Sequence, residues 1–174
     1  TQLHLDKTLD ALQDITAQAA QDPKPAFNSF ASSLSSFSSS LNSMTKERAE
    51  FESKAQEWLN EFAQRNETIA DEDLRKDGTK RMTEFREKVG DINQQVDAVL
   101  ADSHAFEKRL QDLRTFLGND LTTGAVNSVS SRIKDATKDG RGIAERLGKL
   151  SKSSEEMAAR LRAARQAPAA DARK

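Results

Sequence analysis

Apolar residues recur along this chain at alternating intervals of three and four, in three runs long enough to dominate its organisation. In the first, Phe27, Phe30, Leu34, Phe37, Leu41, Met44, Phe51, Ala55, Trp58, Phe62 and Ile69 keep one register, interrupted by Arg48 and Arg65. The second carries Gly78, Met82, Phe85, Val89, Ile92, Val96, Val99, Ser103, Phe106, Leu110, Leu113 and Leu117. The third carries Val126, Val129, Ile133, Ala136, Gly140, Ile143, Leu147, Leu150, Ser154, Met157, Leu161 and Ala164. A period of about 3.5 residues gathers such side chains on one stripe of a helix, and so narrow a stripe is buried against other helices. The pattern predicts an all-α fold: an elongated antiparallel bundle of three long coiled-coil-like helices plus a short N-terminal helix, a single domain over residues 1–165.

Helix boundaries follow from the residues between the runs. Leu5, Leu9, Leu12, Ile15 and Ala19 mark one face of a first helix over 2–21, which either folds back beside the others or projects from their end. Asp22-Pro23-Lys24-Pro25 then breaks the chain, with Asp22 placed to cap the next helix and Pro23 suited to its first turn. The second helix is expected over 23–66. Its exit offers Asn66 as a helix end and Thr68 with Asp71 as a capping box, and so short a connection makes the second and third helices antiparallel neighbours. A turn centred near 67–69 sets Trp58 opposite Gly78. The third helix is expected over 70–118, stopped by Gly118-Asn119-Asp120, and the fourth over 122–165, capped by Thr122 or Thr123. Gly140, Gly142 and Gly148 inside the fourth predict bending near Asp139-Gly140. Residues 166–174, rich in Ala with Pro168, are expected to form a disordered tail.

Composition sharpens this picture in two places. Hydrophobic content of 36% beside 32% charged residues fits helices with one apolar stripe and wet outer faces. The chain has no cysteine, which removes disulfides, thiolate nucleophiles and cysteine-ligated metals. Charge is segregated: residues 121–174 hold 12 Lys and Arg against 6 Asp and Glu, while residues 1–120 hold 15 against 22. The fourth helix is expected to neutralise its neighbours within the bundle, the alternative being a basic surface for anionic lipid. A nucleic-acid surface is not expected, because the cations are interleaved with acids and no aromatic stacking platform accompanies them. No apolar run approaches the ~20 residues that a membrane span requires.

Candidate chemistry is sparse. His4 and His104 are the only histidines, and the Glu that a di-iron bundle places three residues ahead of a His is missing before His104, where Ala101-Asp102-Ser103 stands. The 28 Asp and Glu read as solvated faces, and there is no Tyr, phosphate loop or nucleophile elbow. The expectation is therefore no catalytic residue, no metal, no cofactor and no small-molecule substrate. Residues 26–45 stand apart. They carry no charge, nine of the positions 28–43 are Ser, and Phe27, Phe30, Leu34, Phe37, Leu41 and Met44 form their apolar stripe. Serine is a middling helix former, so this segment needs a surface to hold it. That surface is either the other helices, or a membrane, or a second copy of the helix met through the serine face; bulky apolar residues opposite an uncharged serine face resemble lipid-packing sensors.

Asp22-Pro23 leading to Ala26-Phe27, Phe51-Glu52 with Trp58, Asn66-Glu67-Thr68-Ile69, Leu113-Arg114 with Asn119-Asp120-Leu121-Thr122, and Ala125-Val126 form a set. Together they resemble a bacterial family of helical, often lipoprotein-like envelope proteins defined only as a domain of unknown function. The resemblance implies a place in the periplasm or cell envelope, lipid-anchored in the lipoprotein-like members, with the cytoplasm as the alternative. It carries over no catalytic residue. The chain begins at Thr1 rather than a methionine, which fits a leader removed by processing, while the lack of a cysteine departs from a mature lipoprotein. The expected function is a non-enzymatic structural or protein-interaction module, a helical spacer or docking rod whose partner is a protein or a second copy. The alternative is a peripheral membrane-binding protein using helix 26–45.

Overall fold

The computed structural model describes residues 1–166, and these are helical throughout apart from short joints: α1 Gln2–Ala17, α2 Lys24–Glu67, α3 Glu72–Asn119, α4 Thr123–Ser128 and α5 Ser130–Gln166. The expected tail at 166–174 lies outside the described residues except for Gln166. The all-α class follows from the apolar periodicity.

Cross-helix pairs give the direction of each neighbour. Arg48 Nε on α2 donates to Asp97 on α3 at 2.9 Å, and eighteen residues further along α2 Asn66 Nδ2 donates to Thr79 Oγ1 at 3.1 Å, eighteen residues back along α3. Arg109 meets Asp139 at 2.9 Å and Arg146 meets Asp102 at 2.5 Å, so α5 likewise runs against α3. The first helix folds back: α1 packs on α2 and α5, with Thr1 Oγ1 donating to the Ser40 carbonyl at 3.4 Å. At its other end the Ala19 carbonyl accepts the Thr123 hydroxyl at 2.7 Å, tying the exit of α1 to the start of α4.

The core lies where α1, α2, α3 and α5 run side by side. Leu5, Leu9, Leu12 and Ile15 meet Phe30, Leu34, Phe37 and Leu41 there, with Phe106, Leu110 and Leu117 from α3 and Val126, Val129, Ile133, Ile143 and Leu147 from the last two helices. Past the level of Thr1 the α1 lane stops while α2, α3 and α5 continue. In that arm Phe51, Trp58, Phe62, Met82, Phe85, Ile92 and Val96 are only half-buried. There α1 no longer covers the seam of α2 and α3, and that accounts for the shallow burial.

Three expected boundaries move, each for a local reason. Helix α1 ends at Ala17 rather than 21, because a turn in which the Gln21 N–H bonds the Gln18 carbonyl at 3.0 Å carries the chain to Pro23. Asp22 does serve the next helix, accepting the Lys24 N–H at 3.0 Å. At the far turn Asp71, not Thr68, is the N-cap: it accepts from the Asp73 and Leu74 N–H groups at 2.9 and 3.0 Å, while Thr68 Oγ1 closes α2 on the Arg65 carbonyl at 2.7 Å. Starting α3 later shifts the hairpin register. Trp58 therefore stacks against Phe85, with ring centroids 4.3 Å apart, and the residue over Gly78 is Asn66, not Trp58. The expected fourth helix is two. Val129 interrupts it at φ −108°, where the Ser128 hydroxyl takes the Ala125 carbonyl at 2.7 Å in a stretch of β-branched and Ser residues that favour helix weakly. From Ser130 onward α5 is continuous through Gly140.

Candidate functional site

The uncharged segment of α2 was the first candidate, and its residues divide by depth. Phe30, Leu34, Phe37 and Leu41 are fully buried in the four-helix core; Phe27 and Met44 are half-buried against it. Of the surfaces that could hold this stripe, the bundle itself covers it in this conformation, chiefly through α1. The serines explain how an uncharged helix lies here. Ser36, Ser38 and Ser43 donate to carbonyls four residues back at 3.1–3.2 Å, and Ser40 to the Phe37 carbonyl at 2.8 Å. These four hydroxyls are thus satisfied within their own helix, and the small side chains leave α1 room to lie close.

A second candidate opens where α1 begins. Thr1, Gln2 and Leu3 sit at the mouth of an open cleft of about 530 Å³, walled by Met44, Phe51, Ile92, Val96, Leu147 and Leu150. Leu3 is 63% exposed, among the few large apolar side chains of the described residues left in water. Arg48, which interrupts the first apolar run, lies on the rim. Its guanidinium takes both Asp97 carboxylate oxygens at 2.9 Å and also meets Glu52, and the hydrogen bond to Asp97 is the main cause that raises its pKa. A charge in the seam is tolerable because it leans out and pairs across α2 and α3. Sequence reasoning singled out Met44 among these wall residues, as part of the stripe of residues 26–45, and placed the others in apolar runs without marking them as a site. The available signal was length: α1 has 16 residues and α2 has 44, so a folded-back α1 leaves part of α2 bare.

Polar chemistry elsewhere is superficial. His104 Nδ1 lies 3.3 Å from Glu107 on the exposed face of α3, and the His4 carbonyl accepts the Thr8 hydroxyl at 2.7 Å. Among the described residues no group of three or more His, Asp or Glu side chains converges as metal ligands would. Asp120 is held below the ordinary carboxylate range, first by the Thr122 N–H at 3.0 Å and then by the Thr122 hydroxyl. Glu145 is lowered by its partner Lys149 at 2.7 Å. Both are exposed carboxylates serving helix ends and faces. No family model, curated protein or solved structure matches this chain.

Proposed function

We propose that this protein is a non-enzymatic structural or interaction module of the bacterial cell envelope, a helical spacer or docking rod whose partner is a protein or a second copy of the chain. The observation that carries the reading is the arm: α2 and α3 run on together past the start of α1, with Phe51, Trp58, Phe62, Phe85 and Ile92 half-covered. A half-covered apolar stripe on paired helices suits burial by another helix. At ~1.5 Å per residue α2 and α3 span about 65–70 Å, so an elongated coiled-coil-like bundle would hold two contact points well apart. The envelope location rests on the family resemblance. No helix among the described residues is long and apolar enough to cross a membrane.

The test is photo-crosslinking in the native bacterium. A crosslinker replacing Phe85 in the arm should give a protein adduct of defined mass in the envelope fraction, and one replacing Lys134 on the outer face of α5 should give none. Equal labelling from both positions, or recovery of the protein only in the cytoplasm, would contradict the proposal. Membrane binding through residues 26–45 is the weaker reading, because Phe30 and Phe37 would first have to leave the core.

A further inference from the structure

Between α3 and α5, at the end of the bundle where α3 turns into α4, lies an open groove of about 320 Å³. Buried Leu113, Val129 and Ala136 form its floor, and on its rim stand Phe116 from α3 and Arg132 and Asp135 from α5. We infer that a second copy of the chain docks in this groove, related to the first by a two-fold axis lying across it. The contact goes beyond the one proposed for the arm, and it neither needs nor replaces it.

Register decides which side chains stand level here. Arg109 pairs with Asp139, and seven residues away on both helices Asp102 pairs with Arg146, so α3 and α5 run antiparallel without slipping. Four residues on from Arg109 and four back from Asp139, Leu113 stands level with Asp135. Three residues further, Phe116 stands level with Arg132. The groove thus has two layers about 4.5 Å apart at ~1.5 Å per residue, one with Leu113 and the acid, the other with Phe116 and the base. A two-fold axis passing between the layers exchanges them. It lays Phe116 of each copy on Leu113 of the other, and the same operation sets Arg132 of each copy against Asp135 of the other.

Both halves of that match are unmet within one chain. Phe116 is 42% exposed, the one aromatic among the large apolar side chains that the described residues leave in water. Arg132 and Asp135 are exposed and have no ion pair among the described residues, whereas Arg109 on the same groove has Asp139. The patch is its own complement in shape and in charge. A different protein would have to reproduce ring, base and acid at this spacing, and a second copy carries them already.

Sedimentation equilibrium of the intact chain should show a monomer–dimer equilibrium. Phe116→Glu should raise the dissociation constant about tenfold or more, and Leu74→Glu, exposed at the hairpin tip, should leave it unchanged. Charge exchange reads the pairing itself. Arg132→Glu alone sets acid against acid and Asp135→Arg alone sets base against base, so each variant should dimerise more weakly than the parent chain. Mixed in equal amounts, the two should regain the parent affinity as a heterodimer, a rescue that unfolded variants could not give. A chain that stays monomeric at millimolar concentration would overturn the inference and leave the groove to a different protein. Failure of the mixture to dimerise would overturn the pairing. A dimer weakened by Leu74→Glu and indifferent to Phe116→Glu would move the self-contact to the arm, overturning this site while the interaction-module reading stands.

Discussion

Gly140 and Gly142 stand two residues apart in α5 and serve opposite ends. A methyl group on Gly140 would fall 2.6 Å from a Leu9 Cδ and 2.8 Å from Phe106 Cζ, both inside the core; one on Gly142 would meet nothing within 4 Å. The absence of a side chain at Gly140 lets α5 lie close to α1 and α3. Gly140→Ala should therefore lower stability by about 1–2 kcal/mol, the strain of overpacking exceeding the helix-propensity gain, and Gly142→Ala should raise it by up to ~1 kcal/mol. Urea melts of the two variants read both signs. Asp120 supplies a pH test at the same scale. Its folded pKa lies below the ordinary 3.8, so its contribution is present above that value and is lost as pH falls through the folded pKa. The urea midpoint should drop below pH ~4, and Asp120→Asn should flatten that part of the curve.

At the scale of elements, α2 is one helix with two environments. In the half beside α1 Phe30, Leu34, Phe37 and Leu41 are fully covered, while in the arm Phe51, Trp58 and Phe62 are only half-buried. Phe37→Ala should cost ~3–5 kcal/mol, the range for emptying a buried aromatic site, whereas Phe62→Ala should cost clearly less because its ring is already half in water. Chemical denaturation of the pair measures the contrast. The hairpin tip makes a separate prediction. A methyl on Gly78 would lie 1.9 Å from Asn66 Oδ1, whose amide bonds the Arg75 carbonyl at 3.0 Å and the Thr79 hydroxyl at 3.1 Å. Gly78→Ala should displace that side chain and speed amide exchange over 63–80 while leaving the four-helix end unchanged. The apolar stripes were legible in the sequence because a period of 3.5 survives any tertiary detail. The tip register was not, because it turns on whether Thr68 or Asp71 caps α3, and both are competent caps. The break at Val129 was hidden for a similar reason: it falls between two residues of one stripe, Val126 and Ile133, and leaves the spacing intact.

For the whole molecule, the decisive quantity is how far α1 reaches, and periodicity does not carry it. Phe30 and Phe51 belong to the same run, three heptads apart, yet one is core and the other half-buried, because within the described residues α1 covers α2 only as far as the level of Ser40. That one fact converts the uncharged serine segment from a candidate surface into covered interior and moves the open apolar ground to the cleft and the arm. Hydrogen exchange along α2, resolved by residue, tests it most directly. The account predicts that amides of residues 30–41 exchange as slowly as those of 103–117 in α3, with protection falling stepwise beyond residue 44 toward the tip. Fast exchange over 30–41 with slow exchange over 51–62 would contradict it, since it would make the serine segment the open surface and the arm the core.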